Sequence, residues 1–387
     1  MFRGYCKKVV LFALLALAAV SIAVGFKNGL RFKDFHWESA ALFLQGENPY
    51  QWFFDGRFFQ GVFVDATQAP STIAFILPYG FFSHYVGNLL WDVSNLVFLG
   101  VFWFFVWKVF FAADRVGSVQ AVGRPLPRSA ALFWVLFAVF AMGSPCRVCI
   151  GNGQHGLMSL AYFAAAYWAM ERRKSFWLVG VLMAGAIFKY TFAVPLAFIF
   201  LFHRQWKAMA VCAGIHIGLT VALGWWTGTN PVELVLQSMR VGTAMITKGG
   251  DADWAGFANW LGVADVSGVA LAGYAFFGAL LFLCALTGPQ DPLLKLSTFA
   301  VIANVMVYHR VYDFMTLIFP LVYAVRNLAD RSRLGVLLRA VIFANIALTF
   351  FVGRIGWSSN QLWYVPCCVV AEHVLLLLFL MKGRCGK

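Results

Sequence analysis

The sequence predicts an all-α integral membrane protein with about twelve membrane-spanning helices. Of 387 residues, 61% are hydrophobic and only 12% are charged, whereas soluble domains carry about 25% charged residues. Apolar runs recur along the whole chain, and no polar stretch between them is long enough to form a separate soluble domain. A single polytopic membrane domain, residues 1–387, is therefore the simplest organisation.

Twelve apolar runs supply the predicted helices. In chain order they are Val9–Phe26, Val86–Trp107, Ser129–Met142, Leu157–Met170, Phe176–Phe188, Tyr190–Phe202, Ala208–Trp226, Val266–Leu286, Leu293–Val307, Phe314–Val325, Leu334–Val352 and Val365–Met381. The stretch Pro70–Phe82 is instead predicted to be a short helix at the outer interface. Counting it as a crossing would put the basic residues that follow Trp107 on the side of Asp34, against the positive-inside tendency.

Basic residues set the predicted orientation. Every cluster of them falls on one side, which we assign to the cytoplasm together with both termini, as expected for a multi-pass protein of the cell membrane. The two long loops, 27–85 and 227–265, then face outward. The net charge of +14 is interpreted as a topology signal and not as a nucleic-acid surface. The first run is interpreted as an uncleaved helix because it is longer than a signal-peptide core.

The polar segment that follows the first helix is the most informative stretch. It begins with Asp34-Phe35, continues through Ala40-Ala41 and ends with Gly46-Glu-Asn-Pro-Tyr50. A carboxylate, Asp34, thus stands where a membrane helix leaves the lipid. On these residues alone, Asp34 is either a catalytic group or the mark of a helix end, and Asn48-Pro49 is a turn.

Four further polar stretches are predicted to lie on the same face as Asp34. They are Gly151-Asn-Gly-Gln-His155, Lys189 at a turn between two short helices, the loop 227–265, and Tyr308-His-Arg-Val-Tyr-Asp313. Convergence on one face is what an active site requires.

Structural alternatives exist for the side chains of these stretches. Gln154 and His155 are also suited to capping the following helix. Lys189 is suited to extending from a helix end to the membrane interface. His309 and Arg310 are suited to anchoring a helix end at that interface. Asp313 is also three residues from Arg310, a spacing that permits an ion pair.

Together these stretches resemble glycosyltransferase family 87, membrane enzymes of the GT-C class. The Asp34 segment resembles the start of the family's first external loop, and Gly153-Gln154 resembles a Gly-Gln pair that opens a helix. Lys189-Tyr-Thr191 resembles a lysine-centred turn, and His309 with Tyr312-Asp313 resembles a late His and Tyr-Asp motif. The resemblance runs from about residue 30 to about residue 325. The sequence departs from the family pattern at Gly156, where Asn is usual, and at Ala69-Pro70, where two prolines are usual.

The resemblance implies a GT-C-like bundle with short juxtamembrane helices in the first external loop. It also implies transfer of a hexose or pentose from a polyprenyl-phosphate donor to a hydroxyl of a glycolipid or polysaccharide acceptor, with inversion. Family members use mannose and arabinofuranose. Asp34 is the expected general base. The expected donor-phosphate ligands are His309, Arg310 and Lys189, and the expected substrate-binding residues are Gln154, His155, Asp313, Tyr312 and Tyr50.

No cofactor is expected, and a divalent metal is the alternative left open. Asp251-Ala-Asp253 matches an Asp-x-Asp metal motif, and Cys146-Arg-Val-Cys149 has ligand-like spacing, but each match is short and a solvated loop or packing explains it. A transporter or flippase of a lipid-linked saccharide and a glycan polymerase or ligase remain alternatives. Glu372-His373 within the last helix would suit a transporter, but a helix–helix contact explains it as well. We favour the enzyme because the polar groups lie at helix ends and not at the midplane.

Overall fold

A computed structural model describes residues 2–30, 35–112, 130–246, 253–287, 291–307, 310–352 and 361–385. The described residues form a bundle of α-helices and one two-stranded β-hairpin. The N-terminal part contains Phe2–Gly29 (α1), Trp37–Leu44 (α2), Pro49–Phe54 (α3), Phe58–Phe59 (β1), Val62–Phe63 (β2), Pro70–Ile73 (α4), Leu77–Gly80 (α5) and His84–Val106 (α6). The middle contains Ala130–Met142 (α7), Ser144–Gly151 (α8), Gly156–Glu171 (α9), Phe176–Ala186 (α10), Tyr190–Phe202 (α11) and Trp206–Trp226 (α12). The C-terminal part contains Pro231–Ile246 (α13), Trp254–Trp260 (α14), Val266–Thr287 (α15), Pro292–Met306 (α16), Ile318–Arg326 (α17), Arg333–Ile346 (α18) and Gln361–Cys385 (α19).

The bundle contains enough long apolar helix for a multi-pass membrane protein. Seven described segments have the length and hydropathy of a span: Lys8–Gly29, His84–Phe111, Phe176–Phe202, Trp206–Trp226, Val266–Thr287, Arg333–Val352 and Tyr364–Gly383. An eighth is obtained if α7 and α8, which meet at a 55° bend, are counted as one span. The predicted all-helical membrane class is confirmed, whereas the predicted number of about twelve spans is not.

The difference in number comes from short helices inside the bundle. The predicted runs at α9 and α16 form helices of 16 and 15 residues, and a bilayer needs about 20 residues per crossing. Nearly every residue of both helices is buried. Because other helices surround them, their apolar sequence reflects burial in protein as much as contact with lipid.

The chain reverses direction at a 3-10 turn, Ile187–Lys189, between α10 and α11. The Lys189 backbone N–H donates to Ser159 Oγ of α9 at 2.8 Å, and Gly185 lies against Tyr162, so α10 runs antiparallel to α9. The Phe200 ring of α11 lies 5.8 Å from that of Phe163, farther along α9, so α11 runs parallel to it. The 27-residue apolar segment Phe176–Phe202 has the length and composition of one span, but it is a hairpin with Lys189 at its tip, as the sequence predicts.

The two ends of the bundle differ in chemistry. At the end away from Lys189, Lys295 Nζ donates to the carbonyls of Cys284 and Ala285 at 2.9 and 3.0 Å. Arg326 pairs with Asp291 there. These contacts satisfy helix-terminal carbonyls and fix the relative positions of α15, α16 and α17.

The first loop contains no helix long enough to cross a bilayer. The predicted interface helix Pro70–Phe82 is a series of short turns: α4, a 3-10 turn at Ala74–Ile76, and α5. All four residues of α4 are buried. His216 of α12 fixes this segment, because its Nε2–H donates to the Ala184 carbonyl at 3.1 Å and its Nδ1 accepts from Ser71 at 2.9 Å.

Glu372, which lies within the last helix, makes the predicted contact with another helix. Asn345 Nδ2 of α18 donates to Glu372 Oε1 of α19 at 2.8 Å, and both side chains are buried. His373 instead bonds the Val369 carbonyl of its own helix at 2.6 Å. Asn345 and Glu372 thus join α18 and α19, which lie far along the chain from Lys189.

Replacing Asn345 with Val is expected to lower the free energy of unfolding by about 1 kcal/mol, because interhelical hydrogen bonds in membranes contribute about that much. Glu372→Gln keeps an acceptor for Asn345 and is expected to cost less. Unfolding of the purified protein in bicelles measures both. Val370→Ala, at an exposed position of α19, the helix that carries Glu372, is the control. An Asn345→Val variant no less stable than Val370→Ala would contradict the prediction.

Candidate active site

Lys189 forms the centre of a buried polar cluster at the tip of the α10–α11 hairpin. Its ammonium group donates to Gln154 Oε1 at 3.3 Å and lies 3.7 Å from Asp313 Oδ1. The Tyr312 ring centroid is 4.7 Å from the same nitrogen. Lys189 and Asp313 are only 7% and 2% exposed. The structure therefore brings together four of the residues that the sequence predicts for the site.

Three separate elements position these side chains. Gly153, with φ +65°, ends α8 in the left-handed conformation that glycine adopts without strain. This turn places Gln154 just before α9, and the Gln154 N–H donates to the Cys149 carbonyl at 2.8 Å. Asp313 is held by the backbone N–H of Arg310, which donates to Asp313 Oδ2 at 3.0 Å.

Asp313 is thus connected to Arg310 through the backbone, while its carboxylate faces the Lys189 ammonium. A buried carboxylate is costly without a partner of opposite charge. Lys189 supplies that charge from a helix hairpin more than a hundred residues away in sequence. The cluster is therefore a tertiary arrangement of helix ends, and no single helix contains it.

His155 connects this cluster to the first loop. Its Nε2 lies 3.1 Å from the Phe35 carbonyl oxygen, which can only accept, so Nε2 carries the proton. The Phe35 ring stacks on Trp91 of α6 at 4.6 Å, and Trp91 Nε1 donates to the Gly153 carbonyl at 2.7 Å. Phe35 directly follows Asp34 in the chain. The residue after the predicted base is therefore fixed against the turn that carries Gln154.

Burial lowers the pKa of His155 well below its ordinary value, and the nearby His36 and Lys189 act in the same direction. His155 is fully buried. It is therefore neutral at physiological pH, with one donor nitrogen and one acceptor nitrogen.

His36 is the second fixed point of the first loop. It has φ 60°, a left-handed conformation that costs a non-glycine residue on the order of 1–3 kcal/mol. Its Nδ1–H donates to the Asp65 carbonyl at 2.5 Å, and its ring stacks on that of His155 at 5.5 Å. Glu38 Oε1 accepts the Asp65 backbone N–H at 3.2 Å. These contacts join the start of the first loop, at His36 and Glu38, to Asp65 farther along the same loop.

Glu38 is 5% exposed, and burial raises its pKa to about 7, an effect partly offset by the adjacent His36. The folded protein therefore binds a proton more tightly than the unfolded chain, whose carboxyl has its ordinary pKa near 4.5. Between these two values the unfolding free energy falls as pH rises, and above pH 7 the loss is complete.

The Glu38→Gln variant, which mimics the protonated side chain, is expected to lose this pH dependence. Its unfolding free energy at pH 8 should exceed that of the wild type by up to about 3 kcal/mol, with the difference vanishing near pH 4.5. Denaturant unfolding between pH 4.5 and 8 measures this. Glu47→Gln, at an exposed position of the same loop, is the control. Parallel pH curves for the wild type and Glu38→Gln would contradict the prediction.

The structure describes only some of the remaining predicted residues. Tyr50 is buried, and its hydroxyl donates to the Gln68 carbonyl at 2.5 Å, so it joins two parts of the first loop. Asp34 and His309 lie outside the described residues. Their roles stay predictions, as do substrate binding by Tyr50 and donor-phosphate binding by Arg310.

The described residues contain no group of three or more His, Cys, Asp or Glu side chains arranged to hold a metal ion. Asp253 Oδ1 accepts the Gly256 N–H at 2.6 Å and so caps α14. Asp251 lies outside the described part of the chain. Cys146 and Cys149 are both buried on α8.

Sequence reasoning missed several residues that build the site. Trp91 lies within a predicted membrane-spanning run, and no local pattern distinguishes it from the other tryptophans. His36 belongs to the Asp34 segment but received no role. Gln68 lies just before the expected proline pair, and this proximity is the only sequence signal that points to it.

A bundle of apolar helices with a buried cation, carboxylate and amide at one end defines a multi-pass membrane protein with a polar site beside its first loop. The family model for Glycosyltransferase family 87 matches residues 67–312. The chain therefore belongs to this family, as its sequence motifs predict, and is a glycosyltransferase that acts on a sugar donor and an acceptor.

The family match begins after the Asp34 segment and ends at Tyr312. It includes Gln154, His155 and Lys189, and it does not bear on Asp34. No curated protein matches the chain, and no solved structure matches it.

Proposed function

We propose that this glycosyltransferase moves a hexose or pentose from a polyprenyl-phosphate donor to an acceptor hydroxyl, with inversion. Mannose and arabinofuranose are the proposed sugars, and a glycolipid or polysaccharide is the proposed acceptor. The reaction takes place on the external face of the cell membrane, with both termini in the cytoplasm. The placement of the basic clusters on one side supports this orientation.

The observation that carries the proposal is the buried Lys189 at the end of an apolar bundle. A lipid-linked donor keeps its chain in the bilayer and its phosphate near the boundary, so its enzyme needs a cation there. An ammonium group has three N–H donors. Gln154 accepts one of them at 3.3 Å, whereas Asp313 Oδ1 at 3.7 Å is an ion-pair partner beyond hydrogen-bond distance. Among the described contacts, N–H donors of Lys189 therefore remain for phosphate oxygens.

Asp34 is the proposed base. The acceptor oxygen attacks the anomeric carbon as its proton passes to the Asp34 carboxylate, and the bond from that carbon to the phosphate oxygen breaks. The fixation of Phe35 by His155 and Trp91 supports this role, because a base acts only when it is held in place.

The lipid phosphate leaves with its negative charge. Lys189 is the proposed donor that stabilises this charge, together with Arg310 and His309. Gln154 and Asp313 orient the Lys189 ammonium. Tyr312 limits its motion through contact with the ring face.

The test is transfer of radiolabelled sugar by the purified protein in liposomes. The donors are polyprenyl-phosphate mannose and polyprenyl-phosphate arabinofuranose, and native lipid extract supplies acceptors. We expect consumption of at least one donor and appearance of label in a product with inverted anomeric configuration. If no donor is consumed and the lipid-linked sugar crosses the bilayer instead, the flippase alternative replaces this proposal.

A further inference from the structure

Three residues that contact His36 each carry a buried acceptor atom without a hydrogen-bond donor from the described residues. These atoms are Gln68 Oε1, His155 Nδ1 and Asp65 Oδ1. Buried polar atoms in folded proteins are almost always paired. Three unpaired acceptors on residues that share one neighbour, His36, therefore point to a ligand that supplies donors.

The identity of each atom as an acceptor follows from its neighbours. His36 Nδ1 carries a proton because it lies 2.5 Å from the Asp65 carbonyl oxygen, which can only accept. His36 Nε2 then accepts, and the Gln68 amide must direct Nε2 toward it, at 3.4 Å. Gln68 Oε1 is left over as an acceptor.

The same reasoning applies to His155. The Phe35 carbonyl requires the proton on Nε2, so Nδ1 has only a lone pair. The His155 ring stacks on His36, and its neighbour Gln154 accepts from Lys189. The acceptors around His36 and the ammonium of Lys189 therefore belong to adjoining parts of one site.

These two parts suit different chemical groups. Phosphate oxygens accept hydrogen bonds and carry negative charge, so they match Lys189 and are disfavoured beside three acceptors. Sugar hydroxyls can donate, so they match the acceptors. An inference about the sugar rests on the proposed glycosyl transfer and extends it.

We propose that Gln68, His155 and Asp65, arranged around His36, bind the hydroxyl groups of the sugar ring, next to the phosphate site at Lys189. Gln68 is the diagnostic residue because its carboxamide oxygen has no described partner and its amide nitrogen has one. Asp65 and His155 also have backbone or ring contacts that fix the loop.

The experiment is equilibrium binding to the full-length protein in nanodiscs. The probes are polyprenyl-phosphate mannose, polyprenyl-phosphate arabinofuranose and sugar-free polyprenyl phosphate. Gln68→Met is expected to weaken binding of the preferred sugar-bearing lipid about 5- to 20-fold, as expected for loss of a hydrogen bond to a buried group. Binding of the sugar-free lipid is expected to stay within about twofold.

Thr67→Val is the matched control. Thr67 Oγ1 also donates to His36 Nε2 at 3.4 Å, so this variant removes a different hydrogen bond to the same His36 atom and keeps the Gln68 acceptor. It should bind both kinds of lipid like the wild type. Equal weakening in both variants would mean that Gln68 acts only by holding His36, which would overturn the proposal.

Monodeoxy forms of the bound sugar give a second readout. In the wild type, removal of the contacted hydroxyl should weaken binding about tenfold, and this penalty should disappear in Gln68→Met. Methyl mannoside and methyl arabinofuranoside, which lack phosphate, report on an acceptor sugar. A Gln68→Met effect on the methyl glycosides alone would place the acceptor sugar in the subsite.

Two further outcomes separate this proposal from the proposed function. Normal binding of every sugar probe by Gln68→Met, with binding by the wild type intact, would overturn the sugar subsite alone, and water would be the occupant. Failure of the wild type to bind any of the sugar-bearing lipids or methyl glycosides would overturn both proposals.

Discussion

Replacing Asp34 with Asn is expected to lower kcat for sugar transfer by about 10²- to 10⁴-fold, the usual contribution of a positioned general base. The carboxamide has nearly the same shape but cannot take the acceptor proton. Because the change leaves the donor's phosphate and lipid contacts in place, the donor Kd is expected to stay within about threefold. Transfer and donor binding are measured on the same preparation.

Asp55→Asn is the matched control, because Asp55 is an exposed aspartate of the same loop whose side chain accepts a hydrogen bond from Gln51. It should transfer sugar at nearly the wild-type rate. Glu38, a buried carboxyl of the same loop, is the second candidate for the base, and Glu38→Gln tests it. A variant set in which Asp34→Asn retains activity and Glu38→Gln loses it would move the proton acceptor to Glu38.

The pH profile adds a separate criterion. The pKa of Glu38 is raised to about 7 by burial. A rate that requires the Glu38 carboxylate would therefore rise with pH up to about 7 and then level. If Asp34 is the base, Glu38→Gln is expected to retain the wild-type profile.

The charge pattern was sufficient to predict which helix ends meet. Assigning basic clusters to one side places Gln154, Lys189 and Asp313 on the other. The structure brings these three side chains into contact, although they come from distant parts of the chain. Topology restricts polar residues to one of two bundle ends, so few arrangements were available.

The number of spans was not predictable in the same way. Apolar composition shows that a segment avoids water, but it does not distinguish contact with lipid from burial among other helices. The helices α9 and α16 are apolar because protein surrounds them. A run of 13 to 16 apolar residues therefore fits a buried helix as well as a short crossing.

Contacts within the first loop also escape sequence reasoning. The left-handed conformation of His36 and its bond to the Asp65 carbonyl join residues 29 positions apart without any periodic pattern. Stacking of Phe35 on Trp91 is equally nonlocal. Such contacts depend on how the loop packs on α6, which the local sequence does not encode.

Replacing Lys189 with Met is expected to lower kcat/KM for transfer by about 10²- to 10³-fold, the usual loss when one donor to a developing negative charge is removed. The change also leaves the buried Asp313 carboxylate without its ion-pair partner. That loss is strongly destabilising, by about 3–5 kcal/mol in typical buried pairs. Activity must therefore be compared in a background that folds.

The double variant Lys189→Met/Asp313→Asn supplies that background, because it removes both charges of the pair. Its unfolding free energy should recover most of what Lys189→Met loses, while binding of sugar-free polyprenyl phosphate should remain weak. Asp313→Asn alone should keep phosphate binding because the ammonium remains. If Lys189 serves only to neutralise Asp313, the double variant would instead bind polyprenyl phosphate and transfer sugar as well as Asp313→Asn does. Phosphate binding and stability thus separate a substrate contact from a structural ion pair at the same two residues.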